Sequence, residues 1–158
     1  MGRYAMIHQS ITLPKYGDWT VDVYYGVTHF DADEIMENLY NIGCPSEHAY
    51  TAYQNITNGD KNTGLTYSNY HNKQSVVVIG VADNPAEFIN TLTHEQHHLT
   101  AHIGKTFGLD VMGEEICYLC GYIAQELFST SKLSMCECKC CRDKIKDRVR
   151  HHTLPHNN

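Results

Sequence analysis

Two adjoining stretches decide the fold of this chain: residues 74–81 read QSVVVIGV and residues 84–104 read NPAEFINTLTHEQHHLTAHIG. The first is rich in β-branched residues without polar alternation, which is typical of a strand buried on both faces. The second begins with Asn84, a favourable N-cap, and Pro85, which suits the first helical position. Its apolar residues recur at helical spacing, so it predicts an amphipathic helix that ends at Gly104.

The regions on either side complete a small domain. Alternating hydrophobicity and turn residues predict strands at 7–13, 19–27 and 62–70, and helices at 31–40, 46–56 and 114–129. We therefore expect an α+β fold in which a small, mainly antiparallel sheet packs on the two C-terminal helices. We expect the compact domain to span residues 1–133, and a Cys-rich, basic tail to follow at 134–158.

Composition excludes several classes of protein. The chain has 158 residues and a formal net charge of −6, which argues against a generally basic, nucleic-acid-binding surface. Its apolar runs are far shorter than the roughly 20 residues of a membrane span, and its first residues do not resemble a secretory signal. We expect a protein of the cytoplasm. The 11 His and 7 Cys residues are conspicuous because both types bind metals.

Residues 94–98 read HEQHH and contain the pattern His-Glu-x-x-His. His94 and His98 lie one helical turn apart on the same face, so both imidazoles can bind a single Zn²⁺ ion. Glu95 lies beside them, where a carboxylate can take a proton from zinc-bound water. In a chain of this composition chance would supply the motif roughly 0.04 times. The alternative is an exposed, histidine-rich helix face without a metal.

A catalytic zinc ion requires a third protein ligand and an open fourth position. His102 continues the histidine spacing but drifts around the helix by about 40° per step, so one helix is a poor scaffold for three ligands. The first turn of the next predicted helix carries Glu114 and Glu115. Two antiparallel helices joined by a short loop would bring either carboxylate near the histidines. Alternatively, both acids only favour a helix N-terminus electrostatically.

This set of features resembles the gluzincin group of zinc metallopeptidases, over residues 74–128. The resemblance implies a zincin-like fold, a Zn²⁺ cofactor and a peptide or protein substrate. In that group small residues often follow the third ligand at +3 and +7, and Cys117 and Gly121 occupy those positions relative to Glu114. The resemblance therefore implies Glu114 as the third ligand, with Glu115 as the near alternative.

The resemblance carries two further implications. Zincins bind extended peptides along an edge strand of the sheet, and residues 63–70 are a candidate for that edge. Tyr118 or Tyr122 could donate a hydrogen bond to an oxyanion, although packing is the commoner role of tyrosine. Residues 62–121 also resemble small phage and gut-bacterial proteins with the same motif. The chain departs from many such peptidases in its polar Gln96 and His97.

The cysteines form a second candidate metal site. Four of them lie close together in the tail, at positions 136, 138, 140 and 141. Thiolates at this density suit Zn²⁺ or Cu⁺, although the spacing differs from that of a zinc ribbon. Cys117 and Cys120 fall in an apolar helical pattern, which favours small buried thiols. Residues 139–152 carry six basic and two acidic residues, as expected for a solvated terminus or for contact with an acidic partner.

Our first functional hypothesis is a zinc-dependent metallopeptidase in which His94, His98 and Glu114 bind the metal and Glu95 is the general base. The second is a non-catalytic protein of the same fold, for example a component of a phage particle or another assembly, with a structural metal. Nucleic-acid binding through the tail ranks third because the rest of the chain is acidic.

Overall fold

The computed structural model describes residues 6–140 and residue 143, which form a four-stranded sheet covered by helices on both faces. The strands are β1 (Ile7–Leu13), β2 (Trp19–Val27), β3 (Gly64–Asn69) and β4 (Gln74–Gly80). Their spatial order is β1-β2-β4-β3, with β2 and β4 parallel and the other two neighbouring pairs antiparallel. The predicted α+β class and the mainly antiparallel sheet are confirmed.

The four helices are α1 (Ala32–Asn41), α2 (Ser46–Thr57), α3 (Pro85–Thr106) and α4 (Glu114–Ser131). Helices α3 and α4 cover one face of the sheet, as predicted, whereas α1 and α2 cover the other. The second helical layer was not predicted. Its physical basis is β2, which buries apolar side chains on both faces and so requires a cover on each.

Strand β4 lies between β2 and β3 and shows why its sequence has no polar alternation. Val77 and Ile79 face the core shared with α3 and α4, while Val76 and Val78 face the core shared with α1 and α2. All four side chains are at most 3% exposed. The prediction of a strand buried on both faces is confirmed.

Helix α3 continues past the residue at which the sequence predicted its end. Gly104 is helical, and a Cβ atom at this position would lie 3.0 Å from Cδ1 of Ile116 on α4. The glycine thus allows α3 and α4 to approach closely. The residue that leaves the helical conformation is Gly108, whose φ of +66° is the left-handed geometry that favours glycine after a helix.

Strand β3 forms one edge of the sheet and lies against α3. Its small residues Gly64, Thr66 and Ser68 meet α3, whereas Leu65 and Tyr67 pack on the opposite side with α1 and α2. Between residues 6 and 140, no helix combines the length and apolarity needed to span a membrane.

Candidate metal centre

The predicted site lies in the middle of α3, and the N-terminal cap of that helix is as predicted. The Asn84 side chain accepts a hydrogen bond from the Glu87 backbone N–H at 3.0 Å. This bond satisfies one of the backbone donors that the first turn leaves unpaired. The helix then runs for 22 residues, so His94, Glu95 and His98 lie in regular helical geometry.

His94 and His98 point into the same space. Their Nε2 atoms are 3.2 Å apart, and both residues are exposed. Two nitrogen ligands bound to one tetrahedral zinc ion at 2.0–2.1 Å would be separated by roughly 3.3–3.4 Å. The pair therefore fits two coordination positions of a single zinc ion. Without a metal, the same distance allows a hydrogen bond in which one ring N–H donates to the other ring.

An open depression of about 540 Å³ adjoins the two rings. Asn90, Thr93 and His97 line it together with His94 and His98. These five side chains come from two successive turns of α3. The histidine pair is therefore open to small molecules and ions in solution.

Glu95 does not line this depression, and its carboxylate lies against β3. Its residue is only 4% exposed, and Oε2 accepts a hydrogen bond from the Thr66 hydroxyl at 2.7 Å. A Cβ atom at Gly64 would lie 2.8 Å from Cγ of Glu95 and 2.7 Å from the Val78 carbonyl oxygen. A residue with a side chain therefore does not fit at position 64, and the glycine leaves room for the Glu95 carboxylate under the edge strand.

His102 continues the row of histidines along α3 and is linked to the core by hydrogen bonds. The indole N–H of Trp19 donates to Ser75 Oγ at 2.8 Å, and Ser75 Oγ is 2.7 Å from Ser68 Oγ. Ser68 Oγ is 2.8 Å from His102 Nδ1. Because the indole can only donate, a chain in which each hydroxyl donates outward satisfies every group, with His102 Nδ1 as the final acceptor.

This environment disfavours the protonated form of His102. Burial, with smaller contributions from His98 and Lys105, lowers the pKa of His102 below its ordinary value of 6.5. As the pH falls below 6.5, the unfolded chain therefore binds a proton before the folded chain does. We expect the free energy of unfolding to decrease as the pH falls from 6.5 toward the lowered pKa. Urea unfolding at several pH values across this range measures the free energy of unfolding.

A matched pair of variants isolates the histidine responsible. His102→Gln keeps an acceptor for Ser68 but does not titrate, so its stability should change less with pH than that of the wild type. His48→Gln, on exposed α2, should retain the wild-type dependence. Equal pH dependence in His102→Gln and the wild type would contradict the assignment.

Helix α4 carries the predicted third ligand, Glu114, in its first turn. Helix α4 packs on the side of α3 that carries Gln96, whose side-chain amide donates to the Cys120 carbonyl at 2.9 Å. At 100° per residue, Gln96 lies about 160° around the helix from both His94 and His98. Cys120 of α4 therefore contacts the side of α3 that faces away from the imidazoles.

The first turn of α4 also contacts the connection between β1 and β2. Glu115 Oε2 accepts a hydrogen bond from Lys15 Nζ at 2.8 Å, in an exposed ion pair with the β1–β2 connection. Within residues 6–140 and 143, no three His, Cys, Asp or Glu residues form a group able to hold a metal ion. The described residues therefore show no such group of Glu114 or Glu115 with the histidines, and the third ligand stays a prediction. The packing of Ile116 against Gly104 places this turn beside the end of α3.

The small residues associated with Glu114 do not mark a close helix contact. Gly121 has open space where a Cβ atom would be, and Cys117 is exposed. The close approach between the helices is at Gly104 instead. Tyr118 and Tyr122 are 66% and 39% exposed, so neither is buried in the core.

The cysteines differ from their sequence-based interpretation in one respect. Cys117 and Cys120 are exposed, so the expectation of two buried helical thiols is wrong. The apolar pattern around these cysteines overestimated their burial because most of α4 faces solvent. The buried side of α4 carries Leu119, Ile123 and Leu127. In the tail, Cys136, Cys138 and Cys140 are exposed, whereas Cys141 and the tail histidines lie outside the described residues.

Sequence reasoning missed three residues that shape the site: Gly64, Thr66 and Ser68. A usable signal was present, because small and large residues alternate through residues 64–68, which read GLTYS. Such alternation predicts that one face of the strand lies very close to another element.

Comparison of the chain with protein-family models, curated proteins and solved structures finds no match.

Proposed function

We propose that this protein is a zinc-dependent metallopeptidase in which His94 and His98 bind the metal and Glu95 is the general base. The observation that carries the proposal is the 3.2 Å separation of the two Nε2 atoms, on the turn of α3 that also holds Glu95. Histidines one turn apart with a carboxylate beside the first are the arrangement that zinc-assisted hydrolysis uses.

Zinc, when bound, lowers the pKa of water to about 7 and so makes a nucleophile available at neutral pH. The residues of the chain supply the metal ligands, the general base and the group that positions this base. The imidazoles hold the ion through Nε2. The Glu95 carboxylate accepts the proton of the attacking water and returns it to the leaving amine. The Thr66 hydroxyl fixes that carboxylate through its 2.7 Å hydrogen bond.

An extended peptide is the substrate class that fits this position. Strand β3 is an edge of the sheet and lies directly over the segment of α3 that carries Glu95. The outer edge of such a strand offers backbone N–H and C=O groups that a further strand can pair with. A peptide bound there would lie next to the helix turn that carries the proposed metal ligands and base.

The direct test is elemental analysis of the purified protein combined with cleavage of a peptide library. We expect about one zinc ion per wild-type chain and a loss of most of it in His94→Ala. His48→Ala, which removes an exposed imidazole on the opposite face of the sheet, is the matched control and should keep its zinc. Zinc that survives both His94→Ala and His98→Ala would overturn the assignment of the site.

Glu114 remains the proposed third ligand on the resemblance alone. If Glu114 binds the zinc, Glu114→Gln should weaken zinc binding by more than the roughly 10- to 100-fold that loss of an outer-shell partner costs. Competition with a chromogenic chelator measures this. Glu115→Gln removes only the contact with Lys15 and should leave the affinity unchanged.

Two observations favour a second function, a non-catalytic protein with a structural metal, such as a component of a phage particle or another assembly. The Glu95 carboxylate is buried and already hydrogen-bonded, and no three metal-binding side chains form a group among the described residues. On this second hypothesis Glu114→Gln keeps its zinc, and the zinc-loaded wild type cleaves no member of the library. The two hypotheses thus predict opposite outcomes for the same samples.

A further inference from the structure

Three exposed thiols, Cys136, Cys138 and Cys140, follow Leu133 and Met135, which lie in or against the core. Leu133 is buried and Met135 packs against the core, so the segment is anchored at its beginning. Beyond this anchor, Cys138 Sγ and Cys140 Sγ are 3.6 Å apart, close to contact distance for two sulfur atoms. Cys136 Sγ instead accepts a hydrogen bond from the backbone N–H of Cys138 at 3.4 Å.

We propose that Cys138 and Cys140 form a reversible dithiol–disulfide pair. Both side chains are exposed, so a small disulfide in solution can reach either sulfur. Because the two Sγ atoms are already 3.6 Å apart, formation of the disulfide bond needs side-chain rotation and a small local adjustment of the backbone. A disulfide between Cys138 and Cys140 would be exposed and would close a ring with one residue between the cysteines. Such disulfides are readily reduced, so the pair can change reversibly between dithiol and disulfide.

The oxidant in this reaction is a low-molecular-weight disulfide such as oxidised glutathione. One cysteine loses its proton, and its thiolate attacks a sulfur of the oxidant, releasing one glutathione thiolate and leaving a mixed disulfide. The second cysteine, also deprotonated, then attacks the protein sulfur of that mixed disulfide and releases the second glutathione thiolate. The two cysteines are oxidised by two electrons in total, and the oxidant is reduced to two glutathione molecules that take up the two protons.

The sequence around the pair provides a sharp test. Lys139 lies between the two cysteines, so trypsin cuts the chain between them. After treatment with oxidised glutathione and alkylation of the remaining thiols, the fragments 133–139 and 140–142 stay joined only if a disulfide crosses the cut. We expect mass spectrometry without reductant to find them joined in the wild type and separate after reduction.

Single substitutions identify the partners. Cys138→Ser and Cys140→Ser should each abolish the joined fragment and accumulate a mixed disulfide with glutathione instead. Cys136→Ser and Cys117→Ser are the matched controls and should retain it. All four positions are exposed, and circular dichroism should show unchanged folding in every variant.

Three results would overturn the proposal. A joined fragment that persists in Cys140→Ser would show that Cys138 pairs elsewhere, and mixed disulfides alone in the wild type would show that the pair does not close. Zinc bound to the tail thiols of the His94→Ala variant, protecting them from oxidation until a chelator removes it, would identify the segment as a metal site instead. The first two outcomes do not bear on the proposed peptidase function, which rests on residues of α3. Zinc on the tail thiols is distinguished from zinc at the histidines because Cys138→Ser and Cys140→Ser would release only the tail zinc.

Discussion

Glu95→Gln is expected to lower the rate of peptide cleavage roughly 10²- to 10⁴-fold and to leave the bound zinc in place. An amide cannot accept the proton of the attacking water, whereas His94 and His98 remain free to bind the metal. Glutamine has nearly the same shape as glutamate, and its carbonyl oxygen can still accept the hydrogen bond from Thr66. The variant should therefore fold normally. Initial rates on the best library peptide, together with the zinc content, measure both effects.

Glu47→Gln, in the exposed first turn of α2, is the control for loss of a negative charge and should keep full activity. An active Glu95→Gln protein would remove Glu95 from the mechanism and leave it as a structural residue beneath β3. Loss of zinc together with activity would show that Glu95 holds the metal ligands in place.

Trp19→Ala should lower the free energy of unfolding by about 3–5 kcal/mol, the usual cost of deleting a large buried aromatic side chain. Trp19 is fully buried in the core between the sheet and α3, and its N–H donates to Ser75 at 2.8 Å. Deletion leaves a cavity and takes away the donor at the start of the hydrogen-bond chain to His102. Because a domain of this size is stable by only about 5–15 kcal/mol, the effect is a large share of the total.

Urea unfolding measures this loss, and Trp19→Phe separates its two causes. Phenylalanine refills most of the volume but cannot donate to Ser75, so its cost should be smaller, about 1–2 kcal/mol. A cost below about 1 kcal/mol for Trp19→Ala would contradict the proposed importance of this buried residue. Equal costs for the two variants would assign the effect to the hydrogen bond alone.

Much of the local structure could be predicted because its causes are local. The β1–β2 hairpin has the predicted strand limits, and Asn84 caps α3 as its side chain and the following proline indicate. Spacing of four residues places His94 and His98 on one face of any regular helix. The apolar run of β4 predicts burial on both faces, which requires only that helices cover both sides of the sheet.

The errors concern contacts between elements. Gly104 predicts a helix end by residue type, but the structure uses it to admit Ile116. Helical periodicity shows which positions share a face but not which face a neighbouring helix covers. For that reason the sequence could not show that α4 packs beside Gln96, away from the histidines. The burial of Cys117 and Cys120 was predicted incorrectly for the same reason.

The amino-acid sequence by itself determined the α+β class, the order and approximate limits of the elements, and the paired imidazoles with an adjacent carboxylate, because backbone periodicity and capping act within a few residues. Only the tertiary structure decided that Glu95 lies under the edge strand beside Thr66, that a second pair of helices covers the sheet, and that α4 packs on the side of α3 that carries Gln96. These features depend on which residues leave room for a side chain of a neighbouring element. Gly64 leaves room for Glu95 and Gly104 leaves room for Ile116, and both contacts exist only in the folded structure.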